Sequence, residues 1–225
     1  MRRPPIPVAL EVGARRVFAS ALEWPGWSRS GRDEEGALAA LAAYGDRYRR
    51  ALGTSARGLR VPGDASGFEV VERLEGDATT DFGAPGKAPA FDDAPLEAAD
   101  LRRLERILLA CWAAFDRAAE AARGKELRKG PRGGGRELRA IVDHVLDADG
   151  SYLSSLGARP ARQGEPVERE AHLAAVLDLL RLRVRGDPPP RTPRSGRLWS
   201  PRYFVRRSAW HLLDHAWEIE DRVVG

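Results

Sequence analysis

The chain has 225 residues, 37 basic and 33 acidic, for a net charge of +4 and a pI near 9.6. That length gives one large domain or two small ones a sizeable core. No apolar run reaches membrane-spanning length, and the lone cysteine, Cys111, excludes an internal disulfide and fits a reducing cytoplasm. The start, Met-Arg-Arg-Pro-Pro-Ile-Pro, has no apolar stretch behind it, so no secretory signal is expected. The basic bias is weak and carried almost wholly by arginine. It reads as a mixed solvated surface, not as a nucleic-acid footprint.

Residues 7–12 and 16–22 read as two strands joined by a turn at Gly13-Ala-Arg15. Glu23 to Gly31 contains Pro25, Gly26 and Gly31 and reads as an irregular loop. Asp33 is placed as a helix N-cap, with Glu34 and Glu35 in the favoured first turn. Leu38, Leu41, Tyr44 (or Gly45), Tyr48 and Leu52 then mark the buried face of one helix. A third strand is expected over 67–74, where Phe68 and Val70 alternate with charges. The set Pro25, Gly26, Gly31, Glu35, Ala37 and Leu38 resembles the small HicB-like antitoxin domain over about residues 8–52. Gly36 departs from it, since an acidic residue is usual there. The resemblance implies a β-β-α-β module and brings no catalytic residue.

Residues 75–93, rich in Gly, Pro, Asp and Thr, read as a connection between a module at 1–90 and a second domain at 91–225. Beyond it the pattern is wholly helical, so the fold class is α+β. Asp93-Ala-Pro95 is expected to open a helix striped by Leu101, Leu104, Leu108, Cys111 (or Trp112), Phe115 and Ala119. On that stripe Cys111 reads as a small buried hydrophobe. The basic, glycine-rich stretch 125–136 runs into a helix start. It reads either as an anion site in which Arg132 and Arg136 add charge, or as a plain surface loop. It lacks the lysine and hydroxyl of a P-loop.

A helix over about 136–157 carries His144 at the edge of its apolar face. Another over about 167–185 holds His172 near its start, as a solvated or capping residue. The proline-rich stretch 186–196 is a loop or a lid. The last helix, from about Tyr203 to Arg222, buries Val205, Ala209, Leu212, Ala216, Ile219 and Val223 on one face. Trp210 and Trp217 lie on another, for packing on the first module or in a homodimer.

His211 and His215, one helical turn apart, reach one point, and His144 on a neighbouring helix completes a three-histidine set with an open metal position. Asp143, Asp147, Asp214 and Glu218 neighbour these ligands and are placed either as groups that orient imidazoles or as solvated carboxylates. His144 in Ile141-Val-Asp-His-Val-Leu-Asp-Ala-Asp149, with the pair in Trp210-His-Leu-Leu-Asp-His-Ala-Trp217, resembles the DinB-like superfamily over about residues 94–222. That resemblance implies an up-down-down-up four-helix bundle with a divalent metal, zinc or nickel, at its mouth. It further implies a thiol S-transferase of the bacillithiol or mycothiol type, or a hydrolase, acting on a small-molecule substrate. The long loop at 187–201 and the fused first module depart from its pattern. Arg206 and Arg207, with Arg132 and Arg136, are placed as binders of an anionic thiol. The alternative is a non-catalytic regulatory or binding protein whose HicB-like module mediates interactions. A nucleic-acid role is not expected, since no aromatics are interleaved with the basic run at 181–197.

Overall fold

The computed structural model describes residues 4–129, 137–159, 169–192 and 198–224. The chain is mixed α+β and divides into two compact units, Met1–Ala94 and Pro95–Gly225. Among the described residues no helix is long and apolar enough to cross a membrane.

The first unit is built on a four-stranded sheet in the order β3-β2-β1-β4. Strands β1 (Ile6–Val12) and β2 (Val17–Ala21) form an antiparallel hairpin, closed by a hydrogen bond from the Gly13 amide to the Arg16 carbonyl. β4 (Phe68–Glu75) lies parallel to β1 at the sheet edge, with a register shift between Val8 and Ala9. Its outward charges suit an edge strand. The expected irregular loop is only partly so. Ser28–Gly31 forms β3, paired antiparallel with β2, because Pro25 and Gly26 complete the turn before it begins. Gly26 supplies a φ of 91° there.

The expected single helix is two. α1 (Glu34–Ala43) starts on the Asp33 side chain, which accepts from the Gly36 amide, and α2 (Gly45–Leu52) follows after Tyr44. The break brings Gly45 against Val61 and Trp27 so closely that a Cβ there would collide with the Val61 side chain. Trp27 is buried, donates to the Leu41 carbonyl and stacks on Tyr48, whose hydroxyl donates to the Pro25 carbonyl. Up to β4 the strand count therefore exceeds the expected β-β-α-β by one, and the α-helix count does too.

The expected connection at 75–93 is folded onto the sheet. α3 (Ala78–Phe82) is capped by Asp77 and ends at Gly83 with φ 117°. The buried Glu11 carboxylate accepts from the Thr80 hydroxyl and from the amides of Gly86 and Lys87. A carboxylate inside a strand thus gathers a segment that composition alone presents as loose. Ala90–Asp93 is a short 3-10 turn, so Asp93 caps no helix.

In the second unit, α4 (Ala98–Ala121), α5 (Leu138–Leu156), α6 (Arg169–Val184) and α7 (Pro201–Arg222) carry the core. α7 packs on α4, α5 and α6, and α4 also meets α6. α7 begins on the Ser200 side chain with Pro201 in its first turn, an arrangement that sets its φ and loses no hydrogen bond. Val205, Ala209, Leu212, Ala216 and Ile219 are buried as the periodicity implies, and Trp210 and Trp217 are buried as well. Val223 is only half-buried, because the helix ends at Arg222 and Val223 is its C-cap. Leu104, Leu108, Cys111, Trp112 and Phe115 of α4 are buried. Burial pushes the Cys111 thiol up, away from reactivity. α5 ends at Gly157, φ 113°, where Pro189 leaves no space for a Cβ.

Candidate metal centre

α7 presents Arg207, His211 and His215 at steps of four, on one stripe. α5 presents His144 and, two turns on, Tyr152. The packing of α5 on α7 brings the two stripes together. His144, His211 and His215 each offer a nitrogen, and the three atoms lie within 4.8 Å of one another. The rings stand nearly edge to face, with centroids 5.1 Å (His144–His211), 5.0 Å (His144–His215) and 4.6 Å (His211–His215) apart. His211 and His215 are buried and His144 is half-buried.

The Nε2 atoms of His144 and His211 face each other at 3.2 Å. Two neutral imidazoles achieve this with one N–H donor and one acceptor. Two ligands of a tetrahedral metal, each about 2.0–2.1 Å from it, stand about 3.3 Å apart. The spacing of this pair matches that of two such ligands, and the third nitrogen lies within 4.8 Å of both. His215 Nδ1 is 2.8 Å from Glu218 Oε2. That contact puts the proton on Nδ1 and leaves Nε2 as the free donor atom, which is how a carboxylate orients a ligating histidine. Glu218 is itself fixed by Arg222, whose Nη1 donates to Oε1 at 2.7 Å and whose Nε donates to the Arg128 carbonyl at 2.6 Å. The Leu127–Val223 bridge ties the same two segments. The hydrogen bond from His215, with Arg222 behind it, holds the Glu218 carboxyl down to about 2, although burial acts the other way.

Of the carboxylates placed beside the ligands, Glu218 joins the cluster. Asp143 is exposed and pairs with Arg139 at 3.7 Å, and Asp147 is exposed on α5. Asp214 is half-buried on α7. Arg206 is buried, while Arg207 is half-buried with its guanidinium 4.6 Å from the Trp210 ring and 5.5 Å from that of Tyr152. Arg132 and Arg136 lie outside the described residues. Tyr152 also touches His211 (5.6 Å) and Trp199 (5.2 Å), and Trp199 meets Tyr203. The cluster thus has an aromatic wall. Burial pushes the Tyr152 phenol up, against the pull of Arg207.

His172 is neither solvated nor a cap. It is buried with its ring edge-on to Trp112, and its Nε2 has no hydrogen-bond partner. Burial, then Arg169, lowers its pKa, so it is neutral. Trp112 Nε1 donates at 3.0 Å to Asp149, a buried carboxyl that burial pushes up to about 6 against that hydrogen bond and Arg169. Asp149 received no role from sequence. The signal was its position four beyond Val145 and eight beyond Ile141, which places a carboxylate on the apolar stripe of α5. His172 likewise stands four before Val176 and eight before Leu180.

No protein-family model, curated protein or solved structure matches the chain.

Proposed function

We propose that His144, His211 and His215 hold one divalent transition metal, zinc or nickel, and that the 95–225 unit is a DinB-like four-helix bundle acting as a thiol S-transferase or hydrolase. The observation that carries the metal reading is the facing Nε2 pair at 3.2 Å beside a third histidine oriented by Glu218. The DinB-like reading is supported by the order of the ligands, one on the second of four helices and two on the fourth. For residues 8–52 the HicB-like reading is supported by the Pro25-Gly26 turn. It is supported also by Gly31, where a Cβ would collide with the Ala37 backbone at the start of α1.

When bound, such a metal supplies Lewis acidity, which brings a thiol or water to its anion at neutral pH. The chain's residues supply the rest. Glu218 holds the His215 proton at Nδ1, and Arg222 holds Glu218. Tyr152, Trp199 and Trp210 exclude bulk water from one side of the cluster.

Metal analysis of purified, full-length protein tests the reading. Wild type should carry or take up about one metal per chain. His144→Ala, His211→Ala and His215→Ala should each lose tight binding, while His172→Ala should keep it. Glu218→Gln should weaken affinity about 10–100-fold. Full metal content in the His144 variant, or loss in the His172 variant, would remove the site. Metal uptake without thiol binding in calorimetry would leave the chain a binding protein and end the transferase reading.

A further inference from the structure

Arg206, Arg207, Arg132 and Arg136 share one anion-binding role on sequence grounds; of the two on α7, Arg207 is the one on the stripe of His211 and His215. Its guanidinium carbon stands over the Trp210 ring at 4.6 Å and over the Tyr152 ring at 5.5 Å from the centroids. Its Nη1 is buried and has no hydrogen-bond partner, and no carboxylate pairs with it among the described residues. Aromatic faces attract a cation but accept no strong N–H hydrogen bond, so they steady the guanidinium and leave Nη1 unmatched. A half-buried cation in that condition is costly unless an anion joins it.

Arg207 is one turn before His211 on the same stripe of α7, a rise of about 6 Å. Tyr152 touches both residues, at 5.5 Å from the Arg207 guanidinium and 5.6 Å from the His211 ring. One continuous wall therefore runs from the histidine nitrogens to an uncompensated planar cation. We propose that Arg207, held by Tyr152 and Trp210, recognises the carboxylate of an organic acid whose other end reaches the histidine cluster. A planar guanidinium matches a carboxylate better than it matches a spherical anion. The assignment of the reactive end rests on the metal reading above; the anion end rests on Arg207 alone. The carboxylate belongs either to the thiol itself or to a second reactant, and its chemistry is the same in both cases.

The test uses full-length protein, nickel-loaded and metal-free, with calorimetry at fixed ionic strength. The probes are β-mercaptopropionate, its neutral alcohol mercaptopropanol, and glutarate, which has carboxylates and no thiol. The variants are Arg207→Met, which keeps the stem on the rings, and Arg207→Lys, which keeps the charge and loses the planar fork. If the thiol carries the carboxylate, loaded wild type should bind mercaptopropionate about tenfold more tightly than mercaptopropanol. If a second reactant carries it, glutarate should bind wild type already saturated with mercaptopropanol. In either case Arg207→Met should abolish the preference for the carboxylate without changing metal content or mercaptopropanol affinity, and Arg207→Lys should retain part of it. Should wild type take up no metal, the metal reading fails by itself, and glutarate binding to metal-free wild type against Arg207→Met still decides the anion end. Equal carboxylate binding by wild type and Arg207→Met, or none by wild type, overturns the proposal. If Arg207→Met does not fold, Arg207→Lys decides it, since undiminished carboxylate binding there removes the planar recognition.

Discussion

Glu11 in the first unit and Asp149 in the second are both buried carboxylates, and they are treated in opposite ways. Glu11 in the first unit accepts three hydrogen bonds, from Thr80, Gly86 and Lys87, and both of its oxygens are used. Asp149 in the second accepts one from Trp112, and its Oδ1 has no partner. His172 Nε2, Arg169 Nε and Arg207 Nη1, all in the same unit, share that condition. A saturated network holds structure together, because each donor has lost water and gained an acceptor. Unsaturated groups stabilise nothing by themselves, and among the described residues they gather in the unit that holds the histidine cluster. Polar groups that fasten the chain are thus distinct from polar groups available for something else.

Removing the saturated carboxylate should have the largest effect. Glu11→Ala leaves a hydroxyl and two amides without their acceptor, at about 1–3 kcal/mol for each buried donor. The expected loss is about 4 kcal/mol in chemical denaturation, together with faster hydrogen exchange over 78–87. A loss confined to a few tenths would mean that water replaces the carboxylate, and the contrast with Asp149 would fail.

Asp149→Asn should act the other way. The folded pKa is raised from 3.8 to about 6, so the native state binds the proton more strongly than the unfolded chain. The stability this gives is complete below 3.8 and is lost as pH rises through about 6. The difference between those two values corresponds to about 3 kcal/mol. Asparagine still accepts from Trp112 and never ionises. Relative to wild type it should therefore gain about 3 kcal/mol between acid and pH 7–8 in pH-resolved melts. A difference independent of pH would show that Asp149 is not held protonated.

These two residues also mark how far the sequence could be read. Periodicity exposed the stripes of α4 and α7, and the four-residue step exposed His211 and His215, because both signals are local. Glu11 alternates along a strand like any solvated residue, and only the return of residues 76–90 over the sheet makes it buried. The β3 strand was hidden by Pro25 and Gly26, which end before it starts. The α1–α2 break depends on Val61, sixteen residues beyond Gly45. Asp149 and His172 were legible in principle, as polar residues on apolar stripes. Asp149 was passed over because a helical carboxylate reads as solvated by default, and His172 because it stands near the start of its helix.

The smallest expected effect is at His172, and it sharpens the contrast within the second unit. Its pKa is lowered by burial first and by the Arg169 charge second. Below its unfolded value near 6.5 the unfolded chain takes up a proton that the native imidazole resists. Its contribution is therefore intact above about 6.5 and is lost as pH falls, opposite in slope to that of Asp149. His172→Phe keeps an edge-on aromatic contact with Trp112 and removes the unmatched Nε2. At pH 7–8 the variant should lie within about 1 kcal/mol of wild type, since core swaps of similar volume are tolerated. On acidification it should gain on wild type in stability, and at pH 7–8 its metal content should equal that of wild type. If metal content falls instead, His172 belongs with the other three histidines; if the gain on acidification is missing, it is not held neutral in the fold.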